Sequence, residues 1–152
     1  MIPDIDTFQV SFPVMPDNYI SERDKQHFAA LQPILAERGW PKRSEYGESA
    51  SASAFLILQH SLDSTSYFKW LPVLESSCNQ GEAKWMHYAM LYDRCNLIQG
   101  KPQRYGTHVN VVAGVLRMEK MEGDENATND YRAKIGIPPL TEIQARAIIN
   151  IK

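Results

Sequence analysis

Asp93 and Arg94 stand side by side in the mostly apolar stretch 85–98. On a helix, consecutive side chains point about a quarter turn apart and do not pair with each other. Each charge therefore needs a partner from another element, because an ion left unpaired in an apolar setting costs several kcal/mol. Two segments carry suitable groups. Gln59-His60 offers an amide and an imidazole, and the polar stretch 103–108 offers Gln103, Arg104, Tyr105, Thr107 and His108. A base beside an orienting carboxylate, with a cation for an anionic group, suffices for general acid–base work. The expected catalytic pair is His60, as base or acid, with Asp93 as its orienter. Arg94 and Gln103 are expected to anchor a carboxylate, phosphate or amide, and Gln59, Tyr105, Thr107 and His108 complete the ligand-binding set. The same residues can also form a purely structural network, since buried polar groups must be satisfied whether or not they act.

Several sharper motifs fail on spacing. Gly47-Glu48-Ser49-Ala50-Ser51 lacks the second glycine of a nucleophile elbow. Neither a GxGxxG step nor a P-loop lysine is present, so nucleotide binding by those routes is excluded, and the sequence specifies no cofactor. His60, His87, Asp93 and His108 are potential metal ligands, but no two share a helix face at i, i+3 or i+4, and no metal site is expected.

The elements that must position these residues are mostly helices. Hydrophobic residues make up 43% and charged residues 22% of the 152 positions, a globular composition large enough for one domain with a core. Ser21 is placed to cap a helix carrying Phe28, Leu31 and Leu35, kinked by Pro33 and ended by Gly39. A second helix covers about 48–60, and its all-round apolar run 55–58 predicts burial. A third covers about 65–80, with Phe68, Leu71, Leu74 and Cys78 facing inward. The fourth, about 82–99, is apolar on every side and should be central. The valine-rich segment 107–118 predicts a β-hairpin, 120–130 a loop, and two short helices follow, about 128–135 and from near Pro139. The fold class is therefore mainly α: a single helical, bundle-like domain over 21–152 with a small β-hairpin after the central helix. Residues 1–20 are expected to form an arm packed on the body, with a short strand around 8–12.

A net charge of -2 gives no electrostatic footprint for duplex nucleic acid. No apolar run approaches a membrane span, and the start Met1-Ile2-Pro3-Asp4 lacks the regions of a signal peptide. Cys78 and Cys95 lack any CxxC spacing and are expected to be buried free thiols, so a cytoplasmic location is expected.

At these residues the chain resembles an uncharacterised bacterial family, a domain of unknown function. The resemblance is carried by Gly39-Trp40-Pro41, Gly47, Gln59-His60, Leu71-Pro72-Val73-Leu74-Glu75, Asp93-Arg94 and Gly100-Lys101-Pro102-Gln103-Arg104-Tyr105-Gly106-Thr107. Arg132 and Gly136, before a Pro-Leu segment, match the family's ending. The resemblance covers about 21–145 and departs at His108, where the family usually has Gln, and in a longer valine-rich hairpin. It implies that these residues belong to one site, a bacterial source and a cytoplasmic location. It implies no activity.

Two readings follow. In the first, the chain is a small-ligand-binding or acid–base enzymatic domain for an anionic or amide-bearing small molecule. In the second, it is an interaction or immunity-type protein in which the cluster only locks the loop onto the bundle. The acidic stretch 119–130 and the N-terminal arm would then face a protein partner.

Overall fold

A computed structural model of the chain describes residues 20–149, with side chains to 148. The arm expected over 1–20, with its strand at 8–12, lies outside the described residues except for Ile20. Among the described residues the order is α1 (Glu22–Arg38), α2 (Arg43–Tyr46), α3 (Glu48–His60), α4 (Ser64–Asn79), α5 (Trp85–Ile98), β1 (Val109–Val112), β2 (Val115–Met118), α6 (Glu125–Lys134) and α7 (Glu142–Ile149). The mainly helical class with one small hairpin is what the sequence pattern predicts.

Local chemistry sets most of the boundaries. Ser21 accepts from the Asp24 backbone N–H at 3.0 Å and opens α1, which runs through Pro33 to Gly39. Asp124 caps α6 in the same way, accepting from Ala127 N at 2.9 Å. Thr141 and Gln144 form a reciprocal capping box before α7, each side chain accepting from the other's backbone N–H. The end of α5 closes as a Schellman motif. Gly100 sits at φ 71, its N–H bonds Leu97 O at 3.0 Å, and the Lys101 N–H bonds Asn96 O at 2.8 Å. A left-handed residue at that point reverses the chain, so that residues 103–107 fold back along α5.

α3, α4 and α5 pack on one another, with α1 and α2 against α3. Their shared core holds Leu31, Leu35, Phe55, Leu58, Trp70, Leu74, Ala89 and Leu91. A second, smaller cluster of Met118, Leu140 and Ala147 joins the hairpin to α7. The hairpin is antiparallel, pairing Val109 with Met118 and Val112 with Val115 around a turn in which Ala113 and Gly114 both have positive φ.

Three expectations about packing are corrected. The inward face of α4 is Tyr67, Trp70, Leu74 and Cys78, while Phe68 is 36% exposed. Leu74 and Cys78 face inward as expected, while Tyr67 and Trp70, each one residue earlier, take the places expected of Phe68 and Leu71. Leu56 is 51% exposed, so the run 55–58 is not enclosed on all sides. α6 begins at Glu125, inside the stretch expected to be loop, because Asp124 acts as a helix cap there.

Candidate functional site

Asp93 projects from the third turn of α5 and is completely buried. Its Oδ1 accepts from Arg104 N at 2.8 Å and Tyr105 N at 3.1 Å. Its Oδ2 accepts from Thr107 N at 3.1 Å and Thr107 Oγ1 at 2.9 Å. Gly106, at φ 65, bends the loop so that donors on both sides of it converge on one carboxylate. Burial pushes the carboxyl above its ordinary value, and the four hydrogen bonds act against that rise. Every one of these contacts is a donor aimed at an acceptor, which is the pattern an ionised carboxylate requires.

Arg132 of α6, 4% exposed, supplies the balancing charge from behind the loop. Its Nη1 donates to Tyr105 O at 2.7 Å and its Nε to Pro138 O at 2.6 Å. Burial lowers its affinity for a proton, and the field of Asp93 restores part of it. Gln103, also fully buried, is wholly engaged. Its Nε2 donates to His108 O (2.9 Å) and Glu119 O (3.1 Å), and its Oε1 accepts from His108 N (3.0 Å). Tyr105 is buried edge-on against Tyr92 and Tyr88, with ring centroids 5.5 and 6.3 Å away.

Thr107 passes the order of Asp93 on to His108. A hydroxyl has one proton, and Thr107 gives its proton to Asp93. The second contact of that oxygen, 2.9 Å from His108 Nδ1, is therefore donated by the ring N–H. His108 is thus held as the Nδ1-protonated tautomer, with the lone pair on Nε2. Burial presses its pKa down to about 4, and Arg94 adds to the shift, so the ring is neutral at pH 7. Among the described residues nothing hydrogen-bonds Nε2, and it is not among the polar atoms sealed from solvent without a partner.

The remaining expected residues separate. Arg94 is half-buried, with its guanidinium 5.7 Å from the centroid of the Tyr67 ring and no carboxylate in reach among the described residues. His60 does not join Asp93. Its side chain is 60% exposed and its Nδ1 lies 3.9 Å from Asp24 of α1, while every bond to Asp93 comes from the loop. The last turn of α3 presents His60 to α1 and not to α5. The side chain of Gln59 makes no hydrogen bond among the described residues, and its carbonyl accepts from Tyr67 OH at 2.8 Å.

Residue spacing gives Arg132 no role, and Arg104 enters only as one polar group of the stretch 103–108. Arg104 lies between the rings of Tyr92 (5.1 Å) and Tyr131 (4.9 Å) and bonds Glu122 through Nε at 2.9 Å. Arg132 carried one signal, its place beside Gly136 in the family-like ending. Among the described residues no three His, Cys, Asp or Glu side chains gather as a metal-binding group. No helix there is long and apolar enough to cross a membrane.

Residues 14–148 match the model of a family described as a family of unknown function, DUF6624. The chain belongs to that family. No curated protein and no solved structure matches it.

Proposed function

We propose that this member of DUF6624 is a small-ligand-binding domain whose recognition face is built by the 103–108 loop and the C-terminal half of α5. The observation that carries this is the Asp93–Thr107–His108 chain, which fixes one tautomer and presents a neutral imidazole nitrogen. Such a nitrogen is both an acceptor and a base. At a pKa of about 4 it is a poor base near neutral pH, where a catalytic base works best with a pKa close to the operating pH. This weak basicity favours binding over acid–base turnover, and Asp93, which orients His108 through Thr107, is a positioning residue in this reading. The ligand class carried forward from the sequence is an anionic or amide-bearing small molecule.

The test compares wild type with His108→Gln and His108→Leu in ligand-observed NMR against pools of small anions and amides. Gln keeps a neutral polar tip and Leu removes it. Ligands retained by the Gln variant and lost by the Leu variant, with the fold kept in both, support the proposal. Equal binding by all three proteins, or no ligand for the wild type, counts against it. A His108 that acts as a catalytic base would instead make Gln as damaging as Leu. A cytoplasmic location goes with this reading, supported by Cys78 and Cys95 being free, buried thiols.

A second reading, a protein-interaction role, has one observation of its own. Val111, Val112, Val115 and Leu116 are 68%, 48%, 44% and 39% exposed at the hairpin tip. It does not draw on the acidic stretch as a flexible surface, since much of that stretch is α6.

A further inference from the structure

Of the two neighbouring charges on α5, Asp93 has four donors and Arg94 has no counter-ion among the described residues. Arg94 instead faces a cleft of about 550 Å³, walled by Ile20, Ser61, Leu62, Tyr67 and Ile98. That volume is within the range of small-molecule sites. Tyr67 is anchored by its hydroxyl to Gln59 O at 2.8 Å, and its ring lies beneath the guanidinium. Leu62 holds φ 55, a left-handed conformation costly for leucine, and stands 40% exposed at the lip, with Ile98 49% exposed along the same wall. A half-buried guanidinium beside apolar walls, with its planar fork uncommitted among the described residues, is suited to a planar or tetrahedral oxyanion.

We propose that this cleft is an oxyanion subsite, in which Arg94 binds the carboxylate or phosphate of a small molecule whose apolar body lies along Tyr67, Leu62 and Ile98. The inference rests on the ligand-binding reading above and decides between its two ligand classes. Gln103, the other expected anchor, has both ends of its side chain occupied by backbone groups, whereas the Arg94 fork has no ion pair among the described residues.

The test is an amide-resolved NMR titration of the full chain at matched ionic strength with benzoate, benzamide and inorganic phosphate, repeated with Arg94→Gln and Arg94→Lys. The expected result is saturable shifts at 61–67 and 94–98 with an anion and none with benzamide. The Gln variant should lose about tenfold or more in affinity, and the Lys variant should fall between, since an ammonium cannot offer the fork. Tighter binding of phosphate than benzoate identifies a phosphoryl ligand, and the reverse order a carboxylate. Arg94 is half-buried and has no ion pair among the described residues, so both variants should fold, and the same spectra check this. Benzamide binding as well as benzoate, unchanged affinity in the Gln variant, or no saturable shift with either anion overturns the proposal. The His108→Leu protein separates this inference from the broader reading. Anion binding that survives there but fails in Arg94→Gln leaves the subsite standing and removes His108 from recognition. Loss in His108→Leu alone does the opposite.

Discussion

Asp93 and Arg132 hold the two polar backbone groups of a single residue: Asp93 accepts from Tyr105 N–H at 3.1 Å, and Arg132 donates to Tyr105 carbonyl at 2.7 Å. A buried carboxylate and a buried guanidinium are thus joined through one loop residue, and neither is left as a bare charge in the core.

Replacing Asp93 with Asn should be strongly destabilising. One oxygen becomes an NH₂ that faces two donors, so hydrogen bonds turn into donor–donor contacts and Arg132 loses its counter-charge. A loss of about 3 kcal/mol is expected, within the range for breaking one side of a buried ionic arrangement. Denaturant unfolding measures it, and a loss below about 1 kcal/mol would show that the loop is held by other means.

Arg132→Met keeps much of the aliphatic bulk and leaves the Tyr105 and Pro138 carbonyls without their donor. The expected cost is about 2–3 kcal/mol, with faster amide exchange concentrated at 103–107. Exchange that rises evenly over the whole chain would mean that Arg132 supports global packing and not this loop.

Acid should weaken the fold through His108. Its folded-state pKa, about 4, lies below the ordinary value of 6.5, so the unfolded chain takes up the proton first. The contribution is fully present above pH 6.5, shrinks as the pH falls, and is exhausted near 4. Between pH 7 and 5 it amounts to about 2 kcal/mol at most. His87 acts in the same direction, its pKa lowered first by burial and then by Lys84, with Nδ1 sealed without a partner where the ring stacks on Phe55. Unfolding free energies of wild type and His108→Gln at both pH values should show the smaller acid loss in the variant. Equal losses would mean that the folded-state ring titrates as it does in water.

Gly106→Ala should cost about 1–3 kcal/mol. The residue sits at φ 65, and a Cβ there would stand 3.1 Å from Leu140 Cδ2. Thermal denaturation should show a fall of several degrees, on the order of 2–4 °C per kcal/mol for a chain this long. A neutral result would show that the turn can relax without releasing Asp93.

Much of this arrangement can be read from residue order alone, and the unread part has a common cause. Ser21, Gly39 and Gly100 mark helix ends through backbone chemistry confined to a few residues, and those boundaries agree with the structure to within a residue or two. The return of 103–107 to Asp93 was equally foreseeable, because a short loop directly after a helix has little else to fold against. The placement of His60 was not, since periodicity tells which face a residue shares but not which neighbouring helix that face meets. Arg132 was missed for the same reason. The helix that carries it is expected from about residue 128, but its partners, the Tyr105 and Pro138 carbonyls, depend on the reversal after α6, which periodicity does not specify.

The separations along the chain also order the assembly of the site. Asp93 reaches its four donors across 11 to 14 residues, whereas Arg132 reaches Tyr105 across 27. Loop closure over about ten residues takes on the order of 10–100 ns, and the longer excursion adds an entropic toll that grows with length. The carboxylate can therefore gather its loop while α5 is still forming, and the guanidinium locks a clasp already shut. Asp93→Asn should then slow refolding, and Arg132→Met should chiefly speed unfolding, a contrast that stopped-flow chevrons resolve directly.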